Sequence, residues 1–349
     1  MIMNLIMTKS QIRGRNTRRI CDMFLYIKSP YINYKLEFNR KVTVIRGESG
    51  TGKSTIVDMF RRSITDATIN IYNDLRIPIK EIRGDEDHSF FKTGKRTIYL
   101  IDEDTPCIYS DRFARIVNET DNFFIIITRN PIPSLSYSYR EVYQLRNSGK
   151  FTDTIRAYSD KDRCNFRDME VVLVEDSKSG CKFFSHHLDN RVVSANGRSN
   201  IVKELSLLII SGYRKIGVVI DGAAAGSEMN SIEGLINFFT EVEISLFIPE
   251  CFEEFLISNK ILNFKYIDNN SDEDKLKKNK FGSYEKFYEN IIKQETLGTP
   301  AAYMKSNLSS CFTKDCCHKK DSRCVLHTNI SKVQKVKDIM TTDLDKLKW

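Results

Sequence analysis

A glycine-rich stretch near the N-terminus has residue types and a spacing suited to binding phosphate groups. Its sequence is Gly47-Glu48-Ser49-Gly50-Thr51-Gly52-Lys53-Ser54, followed by Thr55, and it matches the pattern GxxxxGK[ST]. Glycines let consecutive backbone N–H groups turn inward around phosphate oxygens, and a following helix adds its N-terminal dipole. We expect Lys53 to reach the β- and γ-phosphates of a nucleotide and the Ser54 hydroxyl to be a ligand of Mg²⁺.

Two carboxylates follow an apolar stretch further along the chain. The residues Ile98-Tyr99-Leu100-Ile101 lead directly into Asp102-Glu103. Parallel strands end at one functional edge of a sheet, so these acids are expected beside the glycine-rich stretch. Asp102 suits holding Mg²⁺ through water, and Glu103 suits a general base that polarises the attacking water.

A third apolar stretch, residues 123–128, ends in polar residues at the same predicted edge. Thr128 could sense the γ-phosphate or position water, and Arg129 could neutralise charge that develops during the reaction. The alternative is that both residues only cap the end of a strand. The sequence leaves these two interpretations open.

Acidic residues also end two apolar stretches in the second half of the chain. Residues 171–174 lead into Glu175, and residues 218–220 lead into Asp221. Clustered carboxylates can hold divalent cations against a phosphodiester, so Glu175 and Asp221 are candidate ligands of a second metal. The pattern resembles that of Toprim domains, in which the second strand ends in Asp-x-Asp-x-x-Gly, but Ala223 stands at the second aspartate. Three other acids could replace it geometrically: Asp176, Glu228 and Glu250. The alternative is a Rossmann-like domain whose strand ends are simply acidic.

Cysteine and histidine residues concentrate near the C-terminus. Thiolates and imidazoles at this spacing could hold a tetrahedral Zn²⁺, and the candidate ligands are Cys311, Cys316, Cys317, Cys324 and His327. The paired CxxC units of common zinc folds are missing, so ordinary reduced cysteines are the alternative. His186 and His187 are predicted to be surface or packing residues.

Hydrophobic periodicity predicts the elements that position these residues. Apolar stretches indicate strands at 23–27, 31–38, 41–46, 96–101, 123–128, 170–174, 216–220 and 244–248, and helical spacing indicates helices over 56–64, 113–117 and 201–210. This alternation predicts an α/β fold, a parallel sheet with helices on both faces followed by a second, smaller α/β domain. The predicted segments are a loose extension (1–22), a first domain (23–150), a second domain (168–268) and a basic, Cys-containing tail (281–349), with a break at Asn147-Ser148-Gly149.

Composition excludes several classes of protein. The chain has 349 residues, of which 41% are hydrophobic and 29% charged, as in globular proteins rather than disordered or fibrous ones. No apolar run approaches the roughly 18 residues that a membrane-spanning helix needs, so an integral membrane protein is not expected. The N-terminus does not have the pattern of a secretory signal, and we expect the protein in the cytoplasm.

The net charge of +8 is unevenly distributed. Residues 1–50 contain 10 basic and 3 acidic side chains, and residues 275–349 contain 16 and 8. Such basic ends could contact DNA or RNA, although solvated flexible tails would have the same composition.

With these motifs, residues 23–150 resemble the P-loop NTPase superfamily, with Walker A at Gly47–Ser54 and Walker B at Ile98–Glu103. The Asn-Lys-x-Asp motif of GTPases is absent, which favours ATP over GTP. Residues 43–55, 101–103, 126–129 and 146–150 are also similar to uncharacterised bacterial mobile-element proteins often labelled "translation initiation factor 2". That label carries no functional weight here, because the GTPase motifs it requires are missing.

The resemblance implies a Mg²⁺-dependent ATPase, which we expect to form a homo-oligomer. Hydrolysis would drive action of the second domain on nucleic acid or a partner protein, in a mobile-element or phage-defence setting. Three alternatives stay open: an ATP-gated nuclease of the OLD type with a Toprim domain, a nucleotide-dependent interaction module with little turnover, and phosphotransfer to a small acceptor.

Overall fold

The computed structural model describes residues 23–47, 50–84, 96–158, 166, 168–188, 190–259, 261 and 284–313, and these form an α/β structure with two β-sheets. The first sheet contains β1 (Met23–Lys28), β2 (Asn33–Phe38), β3 (Val42–Ile45), β4 (Asn70–Asn73), β5 (Ile79–Ile82), β6 (Ile98–Ile101), β7 (Phe123–Ile127), β8 (Val142–Ser148) and β9 (Phe151–Arg156). The second contains β10 (Val171–Val174), β11 (Arg191–Ser194), β12 (Lys215–Val219) and β13 (Glu243–Phe247).

The helices are α1 (Lys53–Arg62), α2 (Asp111–Glu119), α3 (Ser179–His187), α4 (Ile201–Ile210), α5 (Met229–Phe238), α6 (Phe252–Ser258) and α7 (Tyr284–Thr296). Short 3-10 helices lie at Pro106–Tyr109, Tyr139–Glu141, Arg198–Asn200 and Ser310–Phe312. The predicted α/β class is confirmed.

The first sheet is mixed rather than parallel. Its nine strands lie in the order β4-β1-β2-β9-β8-β3-β7-β6-β5, and only the five from β8 to β5 run parallel to one another. The hairpin β1–β2 joins this parallel part through β9, which is antiparallel to β8. The predicted parallel sheet is therefore confirmed for these five strands, and the two strands predicted at 23–38 form an antiparallel hairpin.

Helices cover both faces of the parallel part. Alternating side chains of β6 and β7 divide between two hydrophobic clusters, one with α1 and the other with α2. Four-residue strands such as β3 (Val-Thr-Val-Ile) and β6 (Ile-Tyr-Leu-Ile) are buried on both sides, as expected of central parallel strands.

The Asn147-Ser148-Gly149 segment, predicted as a break between the two halves, is the end of a hairpin. Ser148 pairs with Phe151, so the turn consists of Gly149 and Lys150. Gly149 has a φ of 62°, a left-handed conformation that two-residue hairpin turns require. The first sheet therefore continues to Arg156.

The second sheet is parallel throughout, in the order β11-β10-β12-β13. Helices α4 and α5 pack on one face, and α3, α6 and α7 pack on the other. The segment after α7 also enters this core, because Tyr303, Leu308 and Phe312 are buried in it. The first part of the predicted tail therefore packs against the second sheet.

The two sheets are joined by a continuous interface. One hydrophobic cluster contains residues of both sheets, with Tyr137 and Tyr139 between them. The Glu250 carboxylate, which follows β13, accepts hydrogen bonds from both Nη atoms of Arg40. Arg140 Nη1 lies 3.6 Å from Glu250 Oε2. In the part of the chain that the structure describes, no helix combines the length and apolar composition needed to cross a bilayer.

Candidate functional site

The glycine-rich stretch lies between β3 and α1, in the predicted strand–turn–helix order. Gly52, which precedes α1, has a φ of 88° and makes no side-chain cap for the helix. Gly50 also has a left-handed φ of 81°, and an added Cβ there would meet no atom within 4 Å. The turn thus has the backbone freedom that an anion-binding loop needs, and it lies at the N-terminus of α1. Glu48 and Ser49 lie outside the described residues.

The Lys53 side chain is only 5% exposed and folds back over this turn. Its ammonium donates hydrogen bonds to the Gly47 carbonyl and, at 3.2 Å, to the Thr51 hydroxyl. These partners are neutral, so a phosphate oxygen would be a stronger acceptor for the same ammonium. Ser54 and Thr55, in the first turn of α1, are exposed to solvent.

A tyrosine that the sequence analysis did not single out supports the turn. The Tyr34 hydroxyl, on β2, donates to the Gly52 carbonyl at 3.1 Å. The ring is 1% exposed, and burial raises the pKa of its hydroxyl, which favours the protonated, donating form. Only the inward position of Tyr34 on an amphipathic strand could have indicated this role.

Strand order brings the predicted polar residues to one edge of the sheet. β7 lies between β3 and β6, and all three are parallel, so the residues after each strand share the carboxyl edge. Neighbouring strands are about 4.8 Å apart, which places the strand leading to Asp102 about 10 Å from the one leading to Gly47. Thr128 follows the strand between them.

Thr128 and Arg129 each contact a neighbouring element at this edge. Thr128 is fully buried, and its hydroxyl lies 3.1 Å from the Tyr109 hydroxyl and accepts from the Asn130 N–H. Arg129 is paired with Glu103 at 3.0 Å. The two residues predicted to act as base and as charge neutraliser therefore form one ion pair, and Arg129 competes with water for the Glu103 carboxylate.

Asp102, predicted to hold Mg²⁺, has a carboxyl group that is costly to ionise. Burial raises the pKa of the Asp102 carboxyl group, and the neighbouring carboxylates of Asp104 and Glu103 raise it further. The Glu103 N–H, which donates to Asp102 at 2.9 Å, lowers this pKa and only partly offsets the increase. A cation beside Asp102 would offset this cost of ionisation. Mg²⁺ commonly uses one or two protein oxygens together with water and substrate phosphates, so the Asp102 carboxylate and the Ser54 hydroxyl are a suitable donor set.

A second group of acids lies at the carboxyl edge of the smaller sheet. Glu175 follows β10 and Asp221 follows β12, and the Asp221 N–H donates to the Glu175 carboxylate at 2.9 Å. Both line one pocket, together with Glu253 of α6 and Lys305. β11 lies on one side of β10, whereas β12 and β13 lie on the other side. The chain therefore changes direction across the sheet between β10 and β12, which is the position where open α/β sheets bind ligands.

Burial and mutual repulsion make the ionised forms of these carboxylates unfavourable. Burial raises the pKa of Asp221 well above its ordinary value, and Glu175 and Glu253 raise it further, against the Lys305 ammonium. Glu253 is 1% exposed, and its Oε1 accepts from the Tyr303 hydroxyl at 2.6 Å. Its buried Oε2 has no hydrogen-bond partner among the residues that the structure describes. Glu253, Tyr303 and Lys305 were missed because their chain positions lie far from Glu175.

The three acids that could replace the missing aspartate at position 223 have different hydrogen-bond and ion-pair partners. Asp176 lines the same pocket, but both its oxygens accept from backbone N–H groups at the start of α3. Glu228 pairs with Arg198 at 3.3 Å and with the Ser227 hydroxyl, and Glu250 pairs with Arg40, so neither takes the place of the aspartate missing at Ala223. Across the described ranges, no group of three or more His, Cys, Asp or Glu side chains is arranged to hold a metal ion.

The Cys/His cluster is described only at its first member. Cys311 is buried within the core of the second sheet, and its Sγ lies 3.6 Å from the Pro300 carbonyl. The other candidate zinc ligands, Cys316, Cys317, Cys324 and His327, lie outside the described residues. His187 is a packing residue, as predicted: its ring contacts Phe183, and its Nε2 lies 2.8 Å from the Phe312 carbonyl.

None of the protein-family models, curated proteins or solved structures compared with this chain matches it.

Proposed function

We propose that this protein is a Mg²⁺-dependent ATPase of the P-loop type that acts through its second sheet on nucleic acid or a partner protein. The observation that carries the proposal is the GxxxxGK[ST] turn between β3 and α1, with the buried Lys53 ammonium directed at the Gly47 carbonyl. Asp102, Glu103 and Thr128 follow neighbouring parallel strands at the same edge, which supports a single catalytic site.

In this proposal each side chain has a distinct task. Lys53 exchanges its neutral acceptors for β- and γ-phosphate oxygens, and the N–H groups of the turn bind the same phosphates. Ser54 and Asp102 would hold Mg²⁺, which neutralises charge on the phosphates when it is bound. Glu103 accepts a proton from the attacking water once Arg129 turns from the carboxylate toward the transferred phosphoryl group.

Phosphate release from ATP tests the proposal directly. We expect Lys53→Ala to weaken ATP binding at least about tenfold, because it removes a charged hydrogen-bond donor. Glu103→Gln should retain binding and lower turnover by about 100-fold or more, the usual contribution of a general base. Lys80→Ala, an exposed lysine on β5, is the matched control and should behave as wild type.

The possible results separate the alternatives. Hydrolysis that single- or double-stranded DNA stimulates would favour a nucleic-acid enzyme, and hydrolysis indifferent to DNA would favour a partner protein. ATP binding without phosphate release would favour an interaction module. Phosphate release that is equal in wild type and Lys53→Ala would refute the proposal.

A second candidate is metal-dependent phosphodiester cleavage at the acidic pocket of the second sheet. The pocket lined by Glu175, Asp221 and Glu253 favours it, since a shift of these side chains toward one another would give the clustered carboxylates that bind cations. It predicts nicking of plasmid DNA in Mn²⁺ or Mg²⁺ that Asp221→Ala abolishes. Nicking that persists in Asp221→Ala would exclude this pocket as its source.

A further inference from the structure

Arg46, the residue immediately before Gly47, is held by groups from outside its own strand. Its backbone N–H donates to the Tyr143 carbonyl at 2.7 Å. Its guanidinium donates through Nη1 to the Tyr158 hydroxyl at 2.9 Å and through Nη2 to the Asn230 side-chain oxygen. Asn230 belongs to α5 of the second sheet, so one polar contact links that sheet to the start of the glycine-rich turn.

Asn230 follows the loop that leads from Asp221 to α5, and backbone hydrogen bonds hold this loop. The Gly226 N–H donates to the Tyr137 carbonyl at 2.9 Å, and the Gly222 N–H donates to the Pro249 carbonyl at 2.7 Å. A Cβ added at Gly226 would lie 2.3 Å from the Tyr137 ring, so this loop is packed closely against the first sheet. The backbone that leads into Asn230 is therefore held by these contacts.

We propose that Asn230 is a positioning residue for the phosphate-binding turn. It fixes the Arg46 guanidinium, and a single peptide unit joins Arg46 to Gly47, whose carbonyl accepts from the Lys53 ammonium. The second sheet thereby sets where Lys53 meets a nucleotide. This inference rests on the proposed ATP-binding function.

The contact has a direct consequence for nucleotide affinity. Asn230→Ala leaves the guanidinium without its acceptor on α5, and we expect ATP to bind about fivefold to tenfold more weakly, a typical coupling between two sites. Asn230→Asp keeps an oxygen acceptor and adds an opposite charge, so ATP should bind as tightly as in wild type or more tightly. Asn237→Ala removes an exposed asparagine of the same helix and is the matched control.

Calorimetric titration of ATP with Mg²⁺ into the full chain tests the inference. A double-mutant cycle with Arg46→Ala should show that Asn230→Ala adds little once the guanidinium is gone. Loss of affinity in Asn230→Ala, recovery in Asn230→Asp and this non-additivity together would support a positioning role, since general destabilisation would give none of the recovery.

Two other outcomes would overturn the inference, and they differ from each other. If wild type binds ATP and Asn230→Ala binds it equally well, Asn230 has no positioning role and the ATPase proposal stands. If wild type and Lys53→Ala both fail to bind ATP, the proposed function itself is wrong. Urea unfolding of each variant, compared with Asn237→Ala, establishes that the titrated protein is folded.

Discussion

Glu250 is the residue whose replacement should most clearly reveal how the two sheets are held together. Its side chain is 7% exposed and meets two arginines of the first sheet's loops, Arg40 and Arg140, whose side chains are 14% and 15% exposed. Glu250→Gln keeps the shape and one acceptor oxygen but removes the negative charge that both contacts share. Two buried guanidinium groups then lose their shared counter-charge.

The cost follows from the burial of the three groups. Removing one partner of a buried ion pair typically destabilises a protein by 3–5 kcal/mol, and the remaining amide oxygen places Glu250→Gln at about 3 kcal/mol. That value corresponds to a roughly 150-fold change in the folding equilibrium. Glu289→Gln is the control, because Glu289 pairs within α7 with Lys293, whose side chain is 49% exposed. Such a pair contributes only about 0.5 kcal/mol.

Urea unfolding followed by far-ultraviolet circular dichroism and by tyrosine fluorescence measures both changes. Because one hydrophobic cluster spans the two sheets, we expect a single transition in which both signals coincide. A loss below about 1 kcal/mol in Glu250→Gln, or a loss equal to that of Glu289→Gln, would refute the reasoning. Separate transitions for the two signals would show that the ion pairs do not couple the sheets.

Three further outcomes follow from the geometry. Burial raises the pKa of Asp221 above its ordinary value of 3.8, so the stability that this group contributes when protonated is lost as the pH rises through its folded pKa. Asp221→Asn should therefore have a higher melting temperature than wild type at pH 7 and a similar one near pH 4. Equal melting temperatures at both pH values would contradict this. Gly226→Ala should destabilise the protein by about 1–3 kcal/mol, because the new methyl group overlaps the Tyr137 ring, and unchanged urea unfolding would exclude that overlap. Gly234→Ala, in α5 with open space around the new methyl group, should instead stabilise it by about 0.5–1 kcal/mol in the same assay.

Elements with a strong local signal were predictable from the sequence. The apolar runs of β3, β6 and β7 each end in polar residues, and the helix predicted over 201–210 is α4 with the same bounds. These predictions depend on patterns within about ten residues, where burial of one helix stripe or one strand determines the structure. The polar ends of β6 and β7 were therefore located correctly at one edge.

Elements that depend on distant partners were not predictable. β4 (Asn-Ile-Tyr-Asn) and β5 (Ile-Lys-Glu-Ile) are short and partly polar, and pairing with β1 and β6 makes them strands. The helix predicted over 56–64 ends earlier, since Ile64 lies after α1 and is 76% exposed. The pairing of Arg129 with Glu103 also escaped prediction, since it depends on side-chain conformations at the ends of two strands.

The parallel pairing of β2 with β9 determines when the first sheet can be completed during synthesis. β1 and β2 form a local hairpin, yet Asn33 pairs with Phe151, so the hairpin cannot dock until β9 has left the ribosome. Contacts between residues so far apart in the chain slow folding and leave strand edges exposed in the meantime. The ion pair between Arg40 and Glu250 forms later still, because Glu250 is synthesised 210 residues after Arg40. The nascent chain therefore presents an unpaired edge of β2 until β9 is synthesised, and we expect its yield of folded protein to depend on chaperones that shield such edges.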